Sequence, residues 1–236
     1  MTKALQEPTQ PVRLGFQILL GLANAGAIMA LLPVLNILIP SQVTMIDLEH
    51  SAINLAFVLT LGALGALVGN PLAGALSDRT TSRFGRRPWI LGGMLATAVG
   101  LAILANSHMV LLAITWCTVQ FFGNVLLASY SAIVPDRVPV HQRGTTQAII
   151  GFASPTGIIL GAFCFGQVQD FRAGYYVTIG VLVILTAIFL WSYREPQFPK
   201  GLLPAFRPGP FLASFWINPV LSANILNNPP VDGQTH

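Results

Sequence analysis

The sequence predicts an all-α membrane protein with six transmembrane helices, an expectation that rests on three observations. First, 53% of the residues are hydrophobic and only 8% are charged, against roughly a quarter charged in ordinary soluble proteins. Second, the apolar runs 14–39, 52–76, 88–106, 109–134, 145–168 and 174–193 contain no Asp, Glu, Lys or Arg. A bilayer core of ~30 Å needs about 20 helical residues, and an ionised side chain at its centre costs at least ~2.5 kcal/mol. Third, eleven of the twelve basic residues fall in the amino end, the second–third and fourth–fifth connections and the carboxyl end, leaving only Arg172 on the other side. Loops rich in Lys and Arg stay inside. The expected protein is therefore multi-pass in a plasma (inner) membrane, with both termini cytoplasmic.

Residues 1–13 form the cytoplasmic amino end, where Lys3 and Arg13 precede the first run in the charge order of a signal peptide. That run exceeds the usual apolar length of about 7–15 residues, so it reads as an uncleaved first helix. The bundle is expected over 14–193. Within it, Gly62, Gly65 and Gly69 in the second run and Gly157 and Gly161 in the fifth are spaced to let helices approach closely, although a high glycine background is itself usual in membrane helices. Pro33, Pro71 and Pro155 are candidate kinks. Trp89, Trp191 and Tyr193 near the inner boundary, and Tyr175 and Tyr176 near the outer, fit interfacial aromatic belts. Cys117 and Cys164 lie inside apolar runs and read as small buried hydrophobes rather than a disulfide framework.

Beyond Arg194 the chain turns proline-rich, and 194–236 reads as a cytoplasmic linker and tail. Its segment 211–217 is too short to cross a bilayer and suits the interface. The net charge of +4 does not point to nucleic acid, because the cations form no basic stripe with interleaved aromatics. Enzyme chemistry has no support either: there is no HExxH, no nucleophile elbow and no pair of intramembrane carboxylates. No catalytic residue, metal or cofactor is expected.

The segment Ser77 to Pro88 holds more charge than any other stretch. Gly74-x-x-Ser77-Asp78-Arg79, followed by Gly85-Arg86-Arg87, resembles the loop signature between helices two and three of the major facilitator superfamily. The seven-residue spacing from Asp78 to Gly85, with Arg83-Phe84-Gly85 and then Pro88-Trp89-Ile90-Leu91, is similar to the wider form in glycoside-pentoside-hexuronide:cation symporters and the related sucrose-proton symporters. Pro135-Asp136-Arg137-Val138-Pro139, then Gln142-Arg143-Gly144, resembles the group's loop between helices four and five. The resemblance implies one half of that fold, a 3+3 inverted repeat. It also implies a secondary transporter for a sugar or glycoside, cation-coupled and working by alternating access.

In the resembled family, contacts at this signature hold the inner helix ends together while the transporter faces outward. That role would fall to Gly74, Asp78, Arg79, Arg83, Gly85, Arg86 and Arg87, with Asp136 and Arg143 as partners on the same face. The alternative is that the arginines only enforce topology and bind lipid phosphates.

Transport needs polar side chains at mid-membrane depth. Gln17 and Asn24 share one face of the first helix, while Gln120 and Asn124 are spaced i, i+4 on the fourth with Trp116 and Ser131 on nearly the same stripe. Amides beside an indole suit a neutral polyhydroxylated substrate, though helix-to-helix hydrogen bonding explains buried amides equally well. Members of the resembled group couple cations through embedded carboxylates, which every span here lacks. Proton co-transport stays open and carboxylate-bound sodium is disfavoured.

Superfamily members carry two six-helix bundles, and Phe215-Trp216-Ile217-Asn218-Pro219 resembles the linker leading to a seventh helix. The expected partners are thus the lipid bilayer, a small-molecule substrate, and either a missing second half or a second copy of the chain. A non-transporting membrane scaffold is the alternative from a different class.

Overall fold

The computed structural model describes residues 8, 10–77, 86–168 and 170–193, without the side chains at 70, 71 and 73–77. The chain divides into two units, Met1–Pro199 and Lys200–His236, and every described residue belongs to the first. The expected tail at 194–236 and its interfacial segment therefore lie outside the described residues, as do Asp78, Arg79, Arg83 and Gly85. Gly74 is described only as helical backbone.

The described residues form helices α1 (Leu14–Pro33), α2 (Ile39–Ile46), α3 (Ser51–Ser77), α4 (Arg87–Leu104), α5 (Met109–Arg137), α6 (Val140–Gly151), α7 (Ala153–Gly166) and α8 (Phe171–Ser192). Among the described residues, six spans are long and apolar enough to cross a membrane. The first combines α1 and α2, and the fifth combines α6 and α7.

Both composite spans are interrupted near proline. Pro33 and Pro40 cannot donate to the carbonyls one turn back, and the ladder between them slips into a π-turn over Val34–Leu38. The first span therefore continues to Ile46, seven residues beyond the sequence expectation, because Pro40 sits at the first turn of α2, where a missing N–H costs no intrahelical bond. In the fifth span Pro155 lacks the N–H that would reach the Gly151 carbonyl, and the break falls at Phe152. That span also starts earlier than expected, at Val140, since its polar first turns are helical outside the apolar run.

Packing repeats with inverted topology. α5 packs on α3 and α4, as α1 packs on α7 and α8, and α4 meets α8. Exchanging spans one to three with four to six maps the two α5 contacts onto the two α1 contacts and the α4–α8 contact onto itself, and the equivalent spans cross in opposite directions. The glycines mark the same symmetry. Gly62, Gly65 and Gly69 of α3 lie against Trp116, Cys117 and Phe121 of α5, while Gly157 and Gly161 of α7 lie against Ala25, Met29 and Pro33 of α1. Cβ atoms at Gly65 and Gly69 would run into the carbonyls of Cys117 and Phe121, so these glycines serve close backbone approach.

The expected aromatic belts hold only in part. Tyr176 and Trp191 are exposed, but Tyr175 and Tyr193 are fully buried. Tyr193 stacks on Phe189 at 5.3 Å and Tyr175 donates a buried hydrogen bond, so packing and a buried acceptor claim both rings. Cys117 and Cys164 are free and half-buried.

Candidate functional site

The mid-membrane amides and the arginine-bearing end of the bundle were the two candidate regions. On α1, Gln17 and Asn24 are both buried. Asn24 Nδ2 donates to the Leu20 carbonyl at 3.2 Å, whereas Gln17 Oε1 is buried with no hydrogen-bond partner. On α5, Gln120 and Asn124 are half-buried, and Asn124 Nδ2 donates to the Gln120 carbonyl at 2.7 Å. Trp116 is fully buried over Gly62, and its Nε1 is likewise unpartnered. Ser131 on the same stripe is exposed, so the stripe passes from the bundle interior to its surface. α1 and α5 touch where Gly123 receives Leu31, one residue from Asn124.

At the arginine-bearing end, Arg86 Nε donates to Asp136 Oδ2 at 2.7 Å, joining the start of α4 to the end of α5. The pair is well shielded, with Arg86 only 10% exposed. Arg87 reaches in another direction: its Nη2 donates to the Leu190 carbonyl at 2.9 Å and to that of Tyr193. It thereby caps α8, whose last carbonyls have no intrahelical donor. Arg143 was an expected partner on this face. It instead donates to the Val138 and Pro135 carbonyls at 3.1 and 3.3 Å, closing the end of α5. Arg137 Cζ sits 5.8 Å from the Tyr193 ring centroid.

Several polar contacts were missed from sequence. Gln42 of α2 is buried, donates to the Leu104 and Ser107 carbonyls at 2.8 and 3.2 Å, and accepts from Tyr175 Oη at 2.8 Å. It lies beyond residue 39, where the expected span ended, so it was not counted among the intramembrane amides. Tyr130 and Thr186 hydroxyls meet at 2.9 Å between α5 and α8. Gln142 Oε1 accepts from the Val12 N–H at 2.8 Å, pinning the residues before α1 to the start of α6.

The family model described as Major Facilitator Superfamily matches residues 15–229. The chain belongs to the major facilitator superfamily. It is similar to the multidrug resistance protein MdtH of Aeromonas hydrophila, with 29% identity over 162 residues, 64% of this chain and 41% of that protein. An uncharacterized symporter of Synechocystis sp. is 51% identical over 172 residues, 64% of this chain and 31% of that protein. The multidrug efflux pump SdrM of Staphylococcus aureus is 24% identical over 151 residues, 61% of this chain and 32% of that protein. The chain thus spans well under half the length of these curated relatives.

As one half of a major facilitator fold, the bundle shows how the two superfamily-like loops meet. Arg86 and Arg87 from the first and Asp136 and Arg143 from the second all bind within the same six helices. Among the described residues this end is therefore a clasp internal to the half, coupling α4, α5 and α8 into one body.

Proposed function

We propose that this chain is the amino-terminal half of a secondary transporter for a sugar or glycoside, a cytoplasmic-ended bundle in a plasma (inner) membrane that works by alternating access. On this reading it resembles the glycoside-pentoside-hexuronide:cation and sucrose-proton symporters and is cation-coupled, with proton co-transport the case tested below. The observation that carries the reading is uncommitted amide capacity in spans without carboxylates: Gln17 Oε1 has no hydrogen-bond partner, and the Asn24 and Asn124 amides donate to their own helices. A neutral polyol can donate to the first, and its hydroxyls can replace the own-helix bonds of the others as the half moves. Gln120 supplies the remaining amide. The similarity to an uncharacterized symporter supports coupled transport.

In this reading the clasp around Arg86, Arg87, Asp136 and Arg143, together with Gly74, Asp78, Arg79, Arg83 and Gly85, stabilises the outward-facing state. A second reading, export of drugs, is favoured by the relatives named for multidrug resistance and multidrug efflux. Spans without Asp or Glu offer a cationic drug no counter-charge, which weighs against that class of drug.

Uptake of labelled disaccharide into vesicles holding this chain, with and without a pH gradient, tests the proposal. Gradient-driven accumulation that is lost in Gln120→Leu and Asn124→Leu is expected. Extrusion of a hydrophobic dye with no sugar uptake would favour the drug reading, and neither activity would favour a scaffold that only associates with other membrane proteins.

A further inference from the structure

The two halves of the fifth span are held in different ways. α7 is locked to α1 backbone against backbone, since a Cβ at Gly157 would lie 2.6 Å from the Ala25 carbonyl oxygen, and its buried residues run from Ala153 to Phe165. α6 is polar, and Thr146 is its one buried residue. Near its far end it meets α1 where a Cβ on Gly21 would stand 2.8 Å from Ile149 Cγ2. At its start it is held by a single side chain. Gln142 Oε1 accepts from the Val12 N–H at 2.8 Å, and its Nε2 donates to the Val12 carbonyl at 3.4 Å. A side-chain amide thus pairs in both directions with the backbone just ahead of α1.

A break bounds α6 on each side. Before it, Val138 and Pro139 are extended, with ψ of 121° and 153°. After it the helix is interrupted at Phe152, whose side chain is exposed. No protein atom lies within 4 Å of a would-be Cβ at Gly151, and a hollow of about 110 Å³ opens between Ile18, Leu22, Ile149 and Phe152. The interrupted backbone therefore has room to bend. Arg143 grips the Val138 and Pro135 carbonyls beside the first break, so its bonds can persist while the rest of α6 tilts.

What α6 covers gives these breaks a use. Gln17 and Gly21 stand four apart on one face of α1, and Gly21 meets α6. The Val12–Gln142 and Gly21–Ile149 contacts bracket Gln17 on one helix and Thr146 on the other. Both are buried, at 3% and 0% exposure. Thr146 gives its hydroxyl to the Gln142 carbonyl of its own helix, and Gln17 Oε1 is left with no donor. A buried acceptor without a partner is destabilising, and at that burial no solute reaches it. The element beside Gln17 that backbone packing does not lock is α6.

We propose that α6 is a lid over Gln17, hinged at Phe152 and latched to the backbone at Val12 by Gln142. Release of the latch tilts α6 away from α1 and opens Gln17 to water. That the lid admits the transported molecule rests on the polyol transport proposed for this chain; the lid and its latch do not.

The test reads the lid without transport. In the full chain held in lipid nanodiscs, with Cys117→Ser and Cys164→Ser, Gln17→Cys is labelled by a charged, water-soluble methanethiosulfonate. Gln142→Leu removes the latch from α6, and Val12→Pro removes the N–H from the other partner without touching α6. Each is expected to raise the labelling rate about tenfold, whereas Gln142→Glu, which keeps an acceptor for the Val12 N–H, should leave it nearly unchanged. Hydrogen exchange in the same latch variants with Gln17 intact separates a lid from general loosening: faster exchange over 140–151 is expected, with 153–166 unchanged. Labelling that does not respond to Gln142→Leu or to Val12→Pro, or exchange that rises equally in the two segments, would overturn the lid. Should Gln142→Leu not fold, Val12→Pro carries the same readouts. Disaccharide uptake is measured apart from these. A chain whose lid responds but which accumulates no sugar loses the transport reading alone, and one that accumulates sugar while Gln17→Cys stays unresponsive loses the lid alone.

Discussion

The two ends of the bundle solve one problem with different chemistry. Helices that finish at a membrane boundary leave their last carbonyls without donors, and at the Arg87 end these carbonyls are met by charge: Arg87 caps α8 and Arg143 caps α5, beside the Arg86–Asp136 pair. At the opposite end α4 finishes at Leu104, and the neutral amide of Gln42 takes over, held by Tyr175. The positive-inside bias accounts for the division, because it concentrates arginine on one side and leaves the other to neutral donors. An amide needs no counter-ion and loses nothing to salt. A guanidinium reaches farther and can serve two carbonyls in a fixed fork, but its charge has to be matched or left facing solvent or lipid.

The comparison can be broken most directly at Asp136. Asp136→Leu removes the carboxylate from a shielded arginine, and a loss of about 3 kcal/mol is expected, read as a lower unfolding midpoint in detergent. The double variant Arg86→Leu/Asp136→Leu should recover much of it. A single variant that melts like the parent would show that the charged clasp holds nothing together.

Gln42→Leu should cost less, about 2 kcal/mol, by leaving the Tyr175 hydroxyl and the Ser107 carbonyl buried without their partner, while Leu104 keeps the Ser107 N–H. Raising the salt concentration should shrink the Asp136→Leu effect only slightly, since a shielded pair is weakly screened, and leave that of Gln42→Leu unchanged. Tyr175→Phe removes a single bond from the same cluster and should cost about 1 kcal/mol, by the same melting measurement.

The smallest effect belongs to the loop outside the Gln42 end. Asp47 accepts from the His50 backbone N–H at 3.0 Å and from Asn54 at 3.1 Å, just before α3. The His50 backbone bond is the main cause that lowers the Asp47 pKa below its ordinary 3.8, followed by slight desolvation, which opposes it, and then by the His50 charge. A depressed carboxylate stabilises the fold above its unfolded pKa and loses that contribution as pH falls through the folded value. The melting midpoint should therefore drop slightly on acidification below pH 3.8, and Asp47→Ala should flatten that drop. The group is exposed, so a large change would point to a different titrating site.

Much of the fold was legible because the forces behind it are local. The number of spans, their placement to within a few residues and the gathering of arginines on one side follow from transfer free energies that each segment pays independently. The glycine spacing in α3 and α7 was visible too, although only the packed bundle showed that both stripes serve close approach. The errors came where a local signal was ambiguous. The expected first span stopped at residue 39, whereas the helix continues through Pro40 and Ser41 to Gln42 and beyond, and Tyr175 and Tyr193 looked like boundary residues because tyrosine suits both an interface and a buried hydrogen bond.

By itself the sequence determined that this is a six-span membrane bundle with its cations gathered at one end, since hydrophobicity and charge act segment by segment. Tertiary structure alone decided that Asp136 meets Arg86 rather than Arg143 and that Trp116 lies over Gly62. These facts depend on how each helix is rotated about its axis. A span that is apolar on every side carries little pattern to encode that rotation, so it is settled only when glycines, prolines and a few polar side chains find their neighbours.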